Sequence, residues 1–213
     1  MTKLTIITIV LCSYLCKAQL LFDDLKKSCP EELFQKSNTT TNAKYLSEKE
    51  KELVILCNLA RIDGKWFSEN VLEHWVRENF SQDKKFQNAV NTLKTELAKT
   101  KNKTPFQPDE KLTTIARNHA TSMGKSGKIG HDNFDKRYSA LGMKPKGENC
   151  QYGLNDTVDI VVELLVDHMT TGYGHRVNIL GTDQTSAKFR FIGVAMAKHK
   201  KYEINTVMSF SGN

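Results

Sequence analysis

The chain has 213 residues, of which 39% are hydrophobic and 26% are charged. This composition excludes an intrinsically disordered chain, and the length suits one ordinary globular domain with short additions. The net charge of +7 is modest and spread over lysine-rich stretches, and no basic motif interleaved with aromatic residues occurs. We therefore expect a solvated basic surface and no nucleic-acid partner.

The first 18 residues have the pattern of a secretory signal. Lys3 precedes an apolar run over residues 4–15, and Cys16 and Ala18 supply the small residues that signal cleavage requires. The run is shorter than the roughly 20 apolar residues that span a membrane, and no later segment is apolar enough to do so. We predict cleavage after Ala18, which removes two lysines and lowers the net charge from +7 to +5. The mature chain is then secreted or periplasmic, and anchoring through Cys16 as a lipoprotein is the second interpretation.

Three cysteines remain after cleavage, namely Cys29, Cys57 and Cys150. An odd number in an exported protein leaves at least one thiol unpaired or paired between chains. A disulfide between Cys29 and Cys57 would join the N-terminal segment to the first long helix. The alternative is that Cys57 is a small buried hydrophobic residue.

Helical patterns dominate the first part of the chain. Residues 19–45 are mixed and polar, and we predict a linker there. A helix is predicted over residues 48–62, where Ser47 and Glu50 form a capping box. Apolar stripes over residues 66–102 predict one or two further helices. The helical pattern resumes after Pro108, which is predicted to set the first turn.

The last part of the chain mixes strand and helix patterns. Residues 147–153 are predicted to form a strand and residues 156–169 a helix. Residues 191–196 and 204–210 are predicted to form a β-hairpin. Helices first and a short antiparallel sheet last predict an α+β fold, in the form of a three-layer α/β/α sandwich.

Two histidines and two acids stand where loops or element ends are predicted: His131, Glu148, Asp167 and His175. Brought together, they would suit a divalent ion such as zinc, or a polar cleft with mixed acid–base character. The alternative for each is a residue that caps a loop, ends a strand or lies on a solvated helix face.

Three neighbouring residues have more ordinary interpretations. Cys150 shares a strand face with Glu148, so a Cys/His site is one interpretation, but a packed cysteine is favoured. Gln151 points to the opposite face and is predicted to contribute nothing to such a site. His119 lies among apolar residues of a helix, which favours a core histidine bonded to the backbone. No nucleophile elbow, zinc-protease helix or phosphate loop occurs in the sequence.

Several segments in a fixed order carry a resemblance to a known family. They are residues 54–61 with Asn58 and Arg61, residues 112–123, the strand entry Gly147-Glu148-Asn149, the run Gly174–Leu180, and the closing residues 191–195 and 207–212. Together they resemble the CAP superfamily, in its bacterial form. This superfamily includes cysteine-rich secretory proteins, antigen 5 and plant pathogenesis-related proteins. Order and spacing agree over about three quarters of the chain.

The resemblance implies a CAP domain over residues 46–213 with a helical insertion at about residues 66–102. It also implies a central cleft in which two histidines and two acids sometimes hold zinc or another divalent ion. By motif position these are His131, Glu148, Asp167 and His175. The second acid departs from the usual pattern, because Leu164 replaces the tryptophan that precedes a glutamate in many relatives. Glu163 is the alternative to Asp167.

Three functions follow from this interpretation. The favoured one is an exported module that binds an envelope component, a lipid or a protein. The second is a metal-dependent peptidase or esterase, with Glu148 as general base and His131 and His175 as ligands. The third is a structural spacer whose insertion mediates assembly. Because coordination needs neutral imidazoles, any zinc uptake should fall below about pH 6.5.

Overall fold

The computed structural model describes residues 20–139 and 141–212, so the predicted signal at residues 1–18 lies outside the described residues. The helices are α1 (Phe22–Ser28), α2 (Glu31–Ser37), α3 (Glu48–Ile62), α4 (Gly64–Phe67), a π-helical turn (Ser68–Leu72), α5 (Glu73–Glu78), α6 (Lys84–Lys99), α7 (Glu110–Ser126), α8 (Phe134–Ser139), α9 (Thr157–Val166), α10 (Gly174–Leu180) and a 3-10 turn (Ser186–Lys188). The strands are β1 (Gln107–Pro108), β2 (Lys146–Tyr152), β3 (Phe191–His199) and β4 (Glu203–Ser211). Over the described ranges, the helices are all too short or too polar to cross a membrane.

The four strands form one sheet in the order β1-β3-β4-β2. Strands β3 and β4 form the predicted hairpin, and β2 pairs antiparallel with β4 at one edge. At the other edge the short β1 pairs parallel with β3, so the sheet is mixed where a purely antiparallel one was predicted. Pro108 lies in β1, and Asp109 caps α7 in its place.

Helices cover both faces of the sheet, which confirms the predicted three-layer α+β sandwich. Alternating residues of β3 and β4 point to opposite faces. On one face Ile192, Val194, Met208 and Phe210 join a large core with α3, α6, α9 and α10. On the other face Ala195 and Val207 pack against Ala116 and Ala120 of α7.

Two glycines let α7 lie directly on the hairpin. A β-carbon on Gly193 would lie 2.1 Å from the backbone of Thr113, and one on Gly124 would lie 2.0 Å from the carbonyl oxygen of Lys198. Neither position has room for a side chain. This close contact at both ends of α7 determines where His119, midway along the helix, meets the sheet.

The first long helix has the predicted limits, and its capping box is formed. The Ser47 amide donates to Glu50 Oε2 at 2.8 Å, and the Ser47 hydroxyl accepts from the Glu50 amide. Near the other end of α3, Asn58 binds both the amide and the carbonyl of Phe106. These bonds join α3 to the segment that enters the sheet.

Residues 20–45, where a linker was predicted, form α1 and α2 and pack on α3. Leu25 is almost completely buried, and Asn58 Nδ2 donates to the Ser37 carbonyl at 2.9 Å. The three described cysteines are buried free thiols, so Cys29 and Cys57 form no disulfide. Cys57 is therefore the small buried hydrophobic residue of the second interpretation.

Residues 66–102 are helical except for short connections after α5 and α6, and they contribute to the main core. Phe67, Val71, Leu72, Trp75, Phe86, Val90, Leu93 and Leu97 are all buried there. The Trp75 indole also donates to Asp159 Oδ1 at 2.9 Å. The predicted insertion thus packs as part of the sandwich, against α9.

Helix α9 ends at Val166, three residues earlier than predicted. Asp167 adopts a left-handed conformation with φ of 50°, which ends the helix. Met169, predicted on the apolar helix face, lies beyond this end with 82% of its surface exposed.

Candidate functional site

Glu148 lies at the centre of a buried polar cluster. It sits on β2 and points toward α7, and only 1% of its side chain is exposed. Arg137 of α8 contacts both carboxylate oxygens, with Nη2 at 2.8 Å from Oε1. His131 Nδ1 lies 2.9 Å from the same Oε1. Burial by itself would raise the pKa of Glu148, but the hydrogen bonds from Arg137 and His131 outweigh it and hold the pKa below its usual 4.5.

The loop that carries His131 is fixed by two aromatic residues. The Gly130 amide donates to the Tyr152 hydroxyl at 2.8 Å, and the Gly130 carbonyl accepts from His119 Nε2 at 2.9 Å. His119 is thus the buried, backbone-bonded histidine that its apolar surroundings predicted. Since a carbonyl can only accept, the neutral His119 ring carries its proton on Nε2.

Cys150 adjoins this cluster, as its shared strand face with Glu148 predicted. Its Sγ lies 3.7 Å from His131 Nδ1 and 3.8 Å from Glu148 Oε1. Burial raises the pKa of the thiol well above its usual value. His119, Glu148 and Cys150 form a buried group whose donor atoms lie within 4.8 Å of one another, and such a group could hold a metal ion.

The other two predicted residues form a second pair. His175 Nδ1 lies 2.8 Å from Asp167 Oδ1, and the His175 amide donates to Oδ2 at 2.9 Å. The left-handed turn at Asp167 aims its carboxylate back at the start of α10. One oxygen therefore orients the imidazole, and the other accepts from the backbone at the start of α10.

Arg176, the next residue, holds α10 in place. Its buried guanidinium donates to the carbonyls of Leu165 and Val166 at the open end of α9, and to the carbonyl of Ala89 in α6. These carbonyls at the end of α9 have no partner within their own helix. Arg176 thus satisfies them and fixes the position of His175.

A pocket of about 190 Å³ lies beside the Asp167–His175 pair. Gln151 and Glu163 line it with that pair, and Cys150 reaches it from the other cluster. Gln151 Oε1 is buried and has no hydrogen-bond partner among the described residues. Burial raises the pKa of Glu163. Gln151, which was predicted to face away from a site built on Cys150, does so, and on its own face of β2 it lines this pocket.

The structure brings the four predicted residues together as two pairs. Glu148 and His131 meet on the α7 side of β2, whereas Asn149 points the other way and donates to the His175 carbonyl at 3.0 Å. Because β2 is an edge strand, the two sides adjoin at the sheet edge. Cys150, in contact with the first pair and lining the pocket of the second, lies between them.

The two pairs share one arrangement of imidazole and carboxylate. In both pairs the imidazole offers Nδ1 to a carboxylate, which leaves Nε2 as the nitrogen available to a metal. Carboxylates that orient histidines in this way are the usual partners of metal ligands. Among the described residues, the donor atoms that converge on one point are those of His119, Glu148 and Cys150, whereas a ligand role for His131 and His175 would rest on these free nitrogens. Bound zinc would supply a Lewis acid or a structural crosslink.

Comparison with protein families agrees with this geometry. A family profile described as "CAP: Cysteine-rich secretory protein family" matches residues 54–210. The chain belongs to the CAP family. Both pairs and the elements that hold them lie within the matched CAP region, while α1 and α2 precede it.

Similarity to individual proteins is weaker than the match to the family. The solved structure of an outer surface protein from Borrelia burgdorferi is similar with a TM-score of 0.42 and 17% sequence identity, over 59% of this chain and 87% of that chain. No curated protein matches the sequence.

Two residues at this site were not foreseen from the sequence. No local pattern marks Arg137, whose side chain is only 15% exposed and pairs with Glu148. Gln151 was predicted on the strand face opposite Cys150, and that face borders the pocket beside His175. Only a prediction of how β2 packs between α8 and α9 would have drawn attention to either.

Proposed function

We propose that this CAP protein is a non-enzymatic binding module that acts outside the cytoplasm. The observation that carries the proposal is the pairing of Glu148, the only base the hydrolase hypothesis offered. A general base works best when its pKa lies near the working pH and its lone pairs are free. Glu148 has a lowered pKa and gives its oxygens to Arg137 and His131.

The ligand is a small polar group that donates hydrogen bonds, held in the pocket beside His175. Gln151 Oε1 supports this, because a buried acceptor without a partner costs free energy that a bound donor would recover. Glu163 and Asp167 add acidic character to the same lining. The ligand could belong to an envelope component, a lipid or a protein, as the sequence led us to expect.

Export remains part of the proposal, supported by the signal-like residues 1–18 and by family membership. We also propose that His131 and His175 are ligands of a zinc ion and that Glu148 and Asp167 orient these two histidines. In this role the ion stabilises the cleft and takes no part in turnover.

The test combines an activity assay with ligand capture. Mature protein, with and without added zinc, is expected to hydrolyse neither peptide nor ester substrates. Immobilised protein incubated with solubilised envelope from the source organism should retain a ligand that mass spectrometry can identify. Gln151→Leu should abolish retention, whereas Gln87→Leu on the exposed face of α6 should not. Zinc-dependent turnover that disappears in Glu148→Gln would overturn the proposal.

A further inference from the structure

Three cationic side chains line a second pocket, which shares no lining residue with the pocket beside His175. Arg61, Lys103 and Arg190 surround a cavity of about 210 Å³. It lies between the end of α3, the segment after α6 and the segment that enters β3. The remaining lining is neutral and consists of Asn102, Thr104, Gly181 and Ala187.

No acid compensates these charges within the described ranges. None of the ion pairs formed by residues 20–139 and 141–212 includes Arg61, Lys103 or Arg190. Arg61 is nonetheless only 2% exposed. Lys103 is half-buried and Arg190 is exposed, so Arg61 is the buried charge of the three, and buried charges in proteins are normally paired with an acid.

Backbone carbonyls satisfy part of the hydrogen-bonding capacity of these cations without cancelling their charge. Arg61 Nε and Nη2 donate to the Thr104 carbonyl, and Nη1 donates to the Ile179 carbonyl at 2.7 Å. Lys103 Nζ donates to the Gly181 carbonyl at 2.8 Å. A guanidinium has five N–H groups, so one on each Nη of Arg61 remains for another acceptor.

The three charges also act on one another. Burial and the repulsion of Arg190 lower the pKa of Arg61 to about 10. Burial and the charge of Arg61 lower the pKa of Lys103. Arg61 therefore remains protonated at neutral pH, and an anion placed among the three groups would relieve their repulsion.

The donors and the size of the pocket define the anion. Arginine forks suit the oxygens of phosphate, and lysine adds a point charge. A cavity of about 210 Å³ is smaller than the roughly 300–1,000 Å³ of pockets for drug-sized ligands, so it suits a single compact group. We propose that Arg61, Lys103 and Arg190 form a binding site for a phosphate group, as free phosphate or as the headgroup of a phosphomonoester lipid. This site does not depend on the function proposed for the cleft.

Titration with inorganic phosphate tests the site. Mature protein is titrated by calorimetry and by thermal unfolding, with chloride at matched ionic strength as reference. Phosphate should bind and raise Tm above the chloride value. Arg190→Gln and Lys103→Gln should each weaken binding on the order of tenfold, because each removes a charge-assisted hydrogen bond. Arg61 is left intact because it also ties α3 to α10.

The matched control is Lys200→Gln, an exposed lysine in the turn between β3 and β4. It removes the same charge from the chain but should leave phosphate affinity unchanged.

A second arm uses phosphatidylcholine vesicles with and without phosphatidic acid. Retention on phosphatidic acid vesicles that free phosphate and Arg190→Gln both abolish identifies the lipid as the source. Phosphate binding without vesicle retention identifies the free ion. Equal Tm in phosphate and chloride together with no vesicle retention overturns the proposal, as does an equal loss of affinity in Lys200→Gln and Arg190→Gln.

Discussion

Arg137 binds both carboxylate oxygens of Glu148, and the acid is thereby held as a buried structural anion on β2. The contact joins α8 to β2 across only 11 residues of sequence. It also positions His131, which shares Glu148 Oε1.

Arg137→Met should destabilise the fold by about 3–5 kcal/mol, because it leaves the carboxylate of Glu148 buried without its cation. Urea denaturation near neutral pH measures the change in the free energy of unfolding. Lys94→Met is the control, since it breaks a half-exposed pair with Glu73 and should cost at most about 1 kcal/mol.

The double variant Arg137→Met/Glu148→Leu should recover much of that loss, because neither charge is then left buried alone. If the double variant loses the sum of the two single effects, the two side chains do not stabilise each other and the interpretation fails.

Glu163→Gln should change how stability depends on pH. Burial raises the pKa of Glu163 above its usual 4.5, so the folded state holds this proton more tightly than the unfolded state. The stability contribution of this group is complete below about pH 4.5 and is lost as the pH rises through the folded-state pKa. The difference in the free energy of unfolding between Glu163→Gln and the wild type should therefore favour the variant more at neutral pH than in acid. Urea denaturation at a series of pH values gives this difference, and a difference that does not vary with pH would contradict it.

Zinc uptake should distinguish the two groups that could hold a metal. Ligation by His131 and His175 predicts that His175→Ala loses bound zinc and that Cys150→Ser retains it. Ligation by the buried group of His119, Glu148 and Cys150 predicts the reverse. Elemental analysis after dialysis against a fixed zinc concentration gives the stoichiometry of each variant. Thermal unfolding of the same samples shows that both are folded.

Arg176→Lys should destabilise the protein by about 3 kcal/mol or more, although the charge is kept. Lysine lacks the planar fork, so it would leave carbonyls of α9 and α6 without donors in a fully buried site. Arg77→Lys is the control, because this residue of α5 is exposed, and it should change the free energy of unfolding by less than about 0.5 kcal/mol. Equal effects in chemical denaturation would show that the carbonyl contacts of Arg176 contribute little.

Features with a local cause were predictable from the sequence. Ser47 and Glu50 define the start of α3 because the capping box joins residues three apart. The β3–β4 hairpin followed from alternating residues on either side of a short polar turn, and the run of motifs indicated the family. Residues 20–45 show the limit of this reasoning, since their polar composition concealed two helices that are stabilised by packing on α3.

The sequence by itself therefore determined the α+β class, the family and four polar residues of interest. Their division into two pairs was decided by tertiary structure, because β2 lies at the sheet edge with Glu148 facing α7 and Asn149 facing α10. The same is true of Arg61, whose carbonyl partner Ile179 is 118 residues away. Such contacts depend on how the helices and strands pack against one another, and local sequence patterns do not specify that packing.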